Sequence, residues 1–74
     1  LRPDAVVPYV NISMAYMNLG NKKKAEENLR KALKIEPENA PANFNLGLLM
    51  AEIGRMENAE HALMTAFKAD PQMA

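Results

Sequence analysis

The side chains of this sequence that could do chemistry are few, and their spacing decides what they are for. A single imidazole, His61, stands between Glu60 and Ala62. A protein zinc site takes about three or four side-chain ligands. With no second histidine and no cysteine in the chain, the ring reads as a surface residue. The carboxylates are scattered, and no pair of them marks a pocket suited to acid–base work. Several fall one helical turn from a cation, as in Lys22–Glu26, Lys23–Glu27 and Glu27–Lys31. Each such pair adds about 0.2–0.5 kcal/mol to a helix. Lys22, Lys23 and Lys24 stand together, but no aromatic platform or wider basic stripe joins them, so nucleic acid is not expected as a partner. Asn11-Ile12-Ser13 fits the N-glycosylation pattern, yet Ser13 falls where two helices must cross closely. The glycines are isolated hinges and form no phosphate loop. Neither catalysis nor a metal nor a cofactor is expected of this chain.

Totals narrow the classes further. Seventy-four residues make one domain at most, near the lower size at which a core holds without staples. Nine basic residues balance nine acidic ones, which argues against a surface dedicated to nucleic acid or anionic lipid. The longest apolar run is far short of the roughly 20 residues that span a bilayer. No signal-peptide layout is visible at Leu1, so direct membrane insertion is not expected. Absence of cysteine leaves the redox compartment open. Ala, Leu, Met, Glu, Lys and Asn dominate, with four aromatic residues. That composition predicts an all-α, soluble protein.

The elements follow from a repeat. Shifting the sequence by 34 residues pairs Asn11 with Asn45, Gly20 with Gly54, Ala25 with Ala59, Leu29 with Leu63, Ala32 with Ala66 and Pro37 with Pro71. A period of that length is the mark of a stacked helical solenoid. In the first unit Tyr9, Ile12, Ser13 and Tyr16 share one face of a helix expected from Val6 to Leu19. Gly20 ends it and Asn21 can cap the next, expected from Lys22 to Ile35 with Ala25, Leu29, Ala32 and Leu33 facing inward. Pro37 stops it. The second unit opens on Asn39 with Pro41 in the first turn, and Leu46, Gly47, Met50 and Ile53 line its inner face. After Gly54 a last helix carries Ala59, Leu63, Ala66 and Phe67 as far as Pro71. Ser13, Gly47 and the four repeated alanines fall where paired helices approach. Helix axes sit about 8–10 Å apart, and the lower end requires small side chains at the crossing.

These residues resemble the tetratricopeptide repeat family. Its large-x-x-Leu-Gly-x-x-Tyr element is met as Tyr9, Ile12, Ser13, Tyr16 and as Asn43, Leu46, Gly47, Met50. The later elements are met as Ala25, Leu29, Ala32, Pro37 and as Ala59, Leu63, Ala66, Pro71. The resemblance implies a right-handed α–α superhelix of four antiparallel helices in two helix-turn-helix units. It divides the chain into residues 1–5 closing a preceding unit, 6–39 and 40–73 as two full units, and 74 opening another. Asn43 and Arg55 depart from the pattern. The first stands where a large apolar residue is usual, implying looser packing in the second unit; the second stands where a capping Asp or Asn is common.

In that family the first helices line a concave groove that holds peptide segments of protein partners. On this chain the groove maps to Val7, Val10, Asn11, Met14, Met17 and Asn18, and to Pro41, Phe44, Asn45, Leu48, Ala51 and Glu52. Val10, Met14, Met17, Phe44 and Leu48 would form an apolar stripe for an apolar or amphipathic peptide. The alternative is that some of them complete the packing between first helices. Asn11 and Asn45 form a ladder able to hold a peptide main chain, or else to bond locally within the array. The lysines and arginines with which one subgroup grips terminal carboxylates are missing from these positions, so no carboxylate clamp is expected. Two other uses remain open: self-association through exposed repeat ends, giving a homo-oligomer, and a substrate-docking arm for an enzyme encoded elsewhere.

Overall fold

Each of the four stretches expected to be helical forms a helix, and the residues between them explain where each one stops. The computed structural model describes residues 5–73, without the side chain of Met73. The flanking pieces expected at 1–4 and 74 lie outside them. Helix α1 spans Val6–Asn18, α2 Lys22–Ile35, α3 Ala40–Glu52 and α4 Met56–Ala69, followed by a 3-10 turn at Pro71–Met73. The first helices end alike. Gly20 and Gly54 take φ of 79° and 84°, the left-handed region that glycine enters without strain. The Gly20 amide donates to the Met17 carbonyl and the Asn21 amide to Tyr16, at 3.0 and 2.8 Å; Gly54 and Arg55 donate likewise to Ala51 and Met50, at 3.1 and 2.8 Å. Both turns are Schellman closures. Pro8 and Pro41 lie in opening turns, where their missing N–H leaves no intrahelical bond unmade.

The helices pack as two antiparallel pairs, α1 with α2 and α3 with α4, and α3 also lies on α2 and more lightly on α1. Small residues make the pairs close. Ser13, Ala25, Ala32 and Ala66 are fully buried, and Ala59 nearly so. Gly47 sets the limit: a Cβ there would meet Leu63 Cγ at 2.7 Å and the Ala59 carbonyl oxygen at 3.2 Å. Its counterpart Ser13 fits by turning its hydroxyl inward to donate to the Val10 carbonyl at 2.6 Å. The core runs through both units, from Val6 and Val10 through Leu29 to Leu46, Leu49 and Met50. Ile53, expected on the inner face, is instead the C-cap of α3 and 40% exposed.

Asparagines fasten the joints. Asn21 accepts from the Lys24 amide and caps α2, and Asn39 accepts from the Ala42 amide and caps α3. Asn43 is buried and donates to the carbonyls of Pro37 and Asn39, both at 3.0 Å. It therefore satisfies the turn between the two units. The looser packing expected within the second unit is not seen at Asn43, which is buried and bonded; a cleft of about 290 Å³ lies between the units instead, between α2 and α4 over Asn43, Leu46 and Met50. Arg55 makes no side-chain cap on α4. Surface pairing also differs from the sequence expectation. Glu26 takes both Nε and an Nη of Arg30, at 3.1 and 3.0 Å, while Lys22 reaches Glu52 at 3.9 Å. The rigid guanidinium fork outcompetes a flexible ammonium for the same carboxylate.

Candidate functional site

Helices α1 and α3 are neighbours in space with the same polarity of unit, so residues 34 apart stand side by side on one wall. Between them opens a cleft of about 210 Å³, lined by Val6, Val7, Val10, Met14 and Pro41, with Asn11, Asn39 and Asn45 as its polar members. Of the groove residues expected from the sequence, Val7, Val10, Asn11, Met14, Pro41 and Asn45 converge here. Val7 and Met14 stand out from the helix at 66% and 47% exposed. Val10 forms the floor: only 6% of it meets solvent, because its side chain also belongs to the core between the units.

The remaining expected positions lie apart from this cleft. Met17 and Ala51 are half-buried against the core. Leu48 is exposed further along α3, and Asn18 ends α1. Glu52 faces Lys22 across the far end of the groove. Phe44 packs with Phe67 of α4, ring centroids 6.4 Å apart and planes tilted by 51°, a favourable aromatic geometry. The apolar stripe is thus divided between a cleft at one end and an aromatic pair toward the side of α4.

The carboxamides sort themselves by use. Asn21, Asn28, Asn39 and Asn43 each hydrogen-bond within the fold. Asn11 and Asn45 make no side-chain hydrogen bond among the described residues, and no buried side-chain polar atom is left without a partner, so both carboxamides face water. A carboxamide offers two donors and an acceptor, and two of them flank an apolar hollow. Among the described residues, no charged side chain lines that hollow. Asn39 was not singled out as a groove residue; its cap role was legible, but its place at the cleft depends on how α3 enters the stack.

Comparison with known proteins agrees with this geometry. The family model described as "Tetratricopeptide repeat" matches residues 8–39, and a second one of the same description matches residues 28–61. The protein named tetratricopeptide repeat protein 16 is 32% identical over 73 residues, both in Homo sapiens and in Macaca fascicularis. In each case the match takes in 89% of this chain and 8% of the relative, so the chain spans a small part of the length of the proteins it resembles. The 34-residue period, paired helices, left-handed glycine turns and closely packed alanines have one common explanation: the chain belongs to the tetratricopeptide repeat family.

Proposed function

We propose that this chain is a protein-interaction module that holds an extended peptide segment of a partner across α1 and α3. One observation carries the reading: two carboxamides without a hydrogen bond among the described residues, Asn11 and Asn45, stand at the same apolar cleft. In this reading an aliphatic side chain of the partner fills the hollow between Val7, Met14 and Pro41, and the two asparagines hold its main chain. Met14 gives the wall an adaptable surface. Lack of charge among the described residues of the cleft disfavours a terminal carboxylate as the anchor.

One buried side chain at about 1.5–3 kcal/mol and main-chain hydrogen bonds at about 0.5–1.5 kcal/mol each, less the cost of ordering both partners, correspond to binding weaker than micromolar. The test is a titration with uncharged peptides carrying one leucine or isoleucine. Val7→Lys with Met14→Lys removes binding while circular dichroism stays unchanged. Asn45→Ala weakens it about two- to tenfold, the worth of one hydrogen bond. Full affinity in the double variant overturns the proposal.

A further inference from the structure

The repeat register sets Asn43 in the second unit at the place of Tyr9 in the first, and Met50 at the place of Tyr16. In the first unit both rings pack against the core. In the second the narrower side chains floor the cleft of about 290 Å³ that α2 bounds on one side and α4 on the other. This hollow lies between the units, away from both ends of the chain.

Asn43 gives its floor one fixed polar atom. The residue is only 6% exposed, and its amide nitrogen donates both hydrogens, to the carbonyls of Pro37 and Asn39. That pairing decides which end of the carboxamide is nitrogen. The oxygen at the other end accepts no hydrogen bond among the described residues, yet no buried side-chain polar atom among them lacks a partner. It therefore meets solvent, at the hollow that Asn43 lines with Leu33, Leu46 and Met50. A lone acceptor in apolar surroundings calls for an apolar group carrying a single donor.

The rim says what shape that group has. Arg30 of α2 and His61 of α4, both planar, stand on opposite banks. Glu26 takes Nε and one Nη of Arg30 at 3.1 and 3.0 Å, which holds the guanidinium along one edge and leaves its faces open. A guanidinium stacks on aromatic rings, and indole is the best ring for a cation. The first unit contains such a pairing, with Lys31 Nζ 5.9 Å from the centroid of the Tyr9 ring. We propose that the cleft receives a tryptophan side chain of a partner protein, its indole N–H donating to Asn43 Oδ1 and its ring lying beside Arg30 and His61. Indole has one donor and no acceptor, which matches the floor. Small-molecule sites start at about 300 Å³, so the room suits one large side chain better than a cofactor.

The chain contains no tryptophan, so indole fluorescence reports an added peptide alone. The probe is Gly-Trp-Gly, blocked at both ends and uncharged, titrated with the full chain. Its emission shifts to the blue and saturates. In the nitrogen-labelled chain the backbone signals of Asn43, Leu46 and Met50 move together, and the same peptide with leucine leaves them in place. Methylating the indole nitrogen weakens binding about two- to tenfold, the worth of one hydrogen bond. Arg30→Ser with His61→Ser weakens it about fivefold, and both side chains are exposed, so the fold is kept. An emission maximum that does not move overturns the inference. So does a phenylalanine peptide that binds as tightly, or a set of shifts confined to Asn11 and Asn45.

Discussion

At the scale of single residues, Gly47 sets how closely α3 and α4 approach. A methyl group there would lie 2.7 and 2.8 Å from Leu63 Cγ and Cδ2 and 3.2 Å from a backbone oxygen. Well-packed carbons sit at about 3.5–4.0 Å. Gly47→Ala gains about 1 kcal/mol of helix propensity but overpacks the crossing at a cost of about 1–3 kcal/mol. The oxygen cannot yield without moving α4, so the net effect is a loss of about 1 kcal/mol, seen as a lower denaturant midpoint. Gly47→Val adds a branched side chain to the same gap and removes cooperative unfolding of the second unit. Asn43 works by hydrogen bonding. Asn43→Ala leaves the buried side of the Pro37–Asn39 turn without its donors and lowers stability by about 1–2 kcal/mol. Its slot in the repeat pattern was legible as a departure. Its two carbonyl partners were not, because they depend on how the chain folds back between units.

At the scale of elements, the sequence shows its punctuation plainly and its faces only in part. Gly20, Gly54 and Pro37 mark ends that the helices keep, and Asn21 and Asn39 mark caps that their oxygens make. Periodicity separates the buried face of a helix from the rest. It cannot separate a groove wall from a contact between units, because that depends on the crossing angle of α3 over α1 and α2. Val10 shows the difficulty: it belongs to the groove by sequence position and to both groove and core in space. Phe44 is displaced for the same reason, toward Phe67. The missing cap on α4 makes a prediction of its own. Arg55 has φ −90° and ψ 74°, close to the −91° and 79° of Asn21, which does cap its helix. Arg55→Asn places an oxygen at the same geometry and stabilises the chain by about 1 kcal/mol, measured as a raised thermal midpoint.

At the scale of the whole molecule, two helix pairs with small residues at their crossings leave one wall, α1 beside α3, without an internal partner for all of its side chains. That wall carries an apolar cleft and two carboxamides that no described residue engages. Stacked repeats add such walls end to end, so affinity in a longer array rises with each unit that contributes a cleft. The opposite side, the cleft between α2 and α4, is floored by Leu46 and Met50 and rimmed by Arg30 and His61, and it serves as the control surface. Nuclear magnetic resonance on the nitrogen-labelled chain gives the most direct test, by following side-chain amide signals as an uncharged peptide with a central leucine is added. The account predicts that Asn11 and Asn45 shift first and saturably, while Asn43, held by Pro37 and Asn39, stays in place. Shifts confined to the Arg30 and His61 side, or binding that leaves Asn11 and Asn45 unmoved, would contradict it.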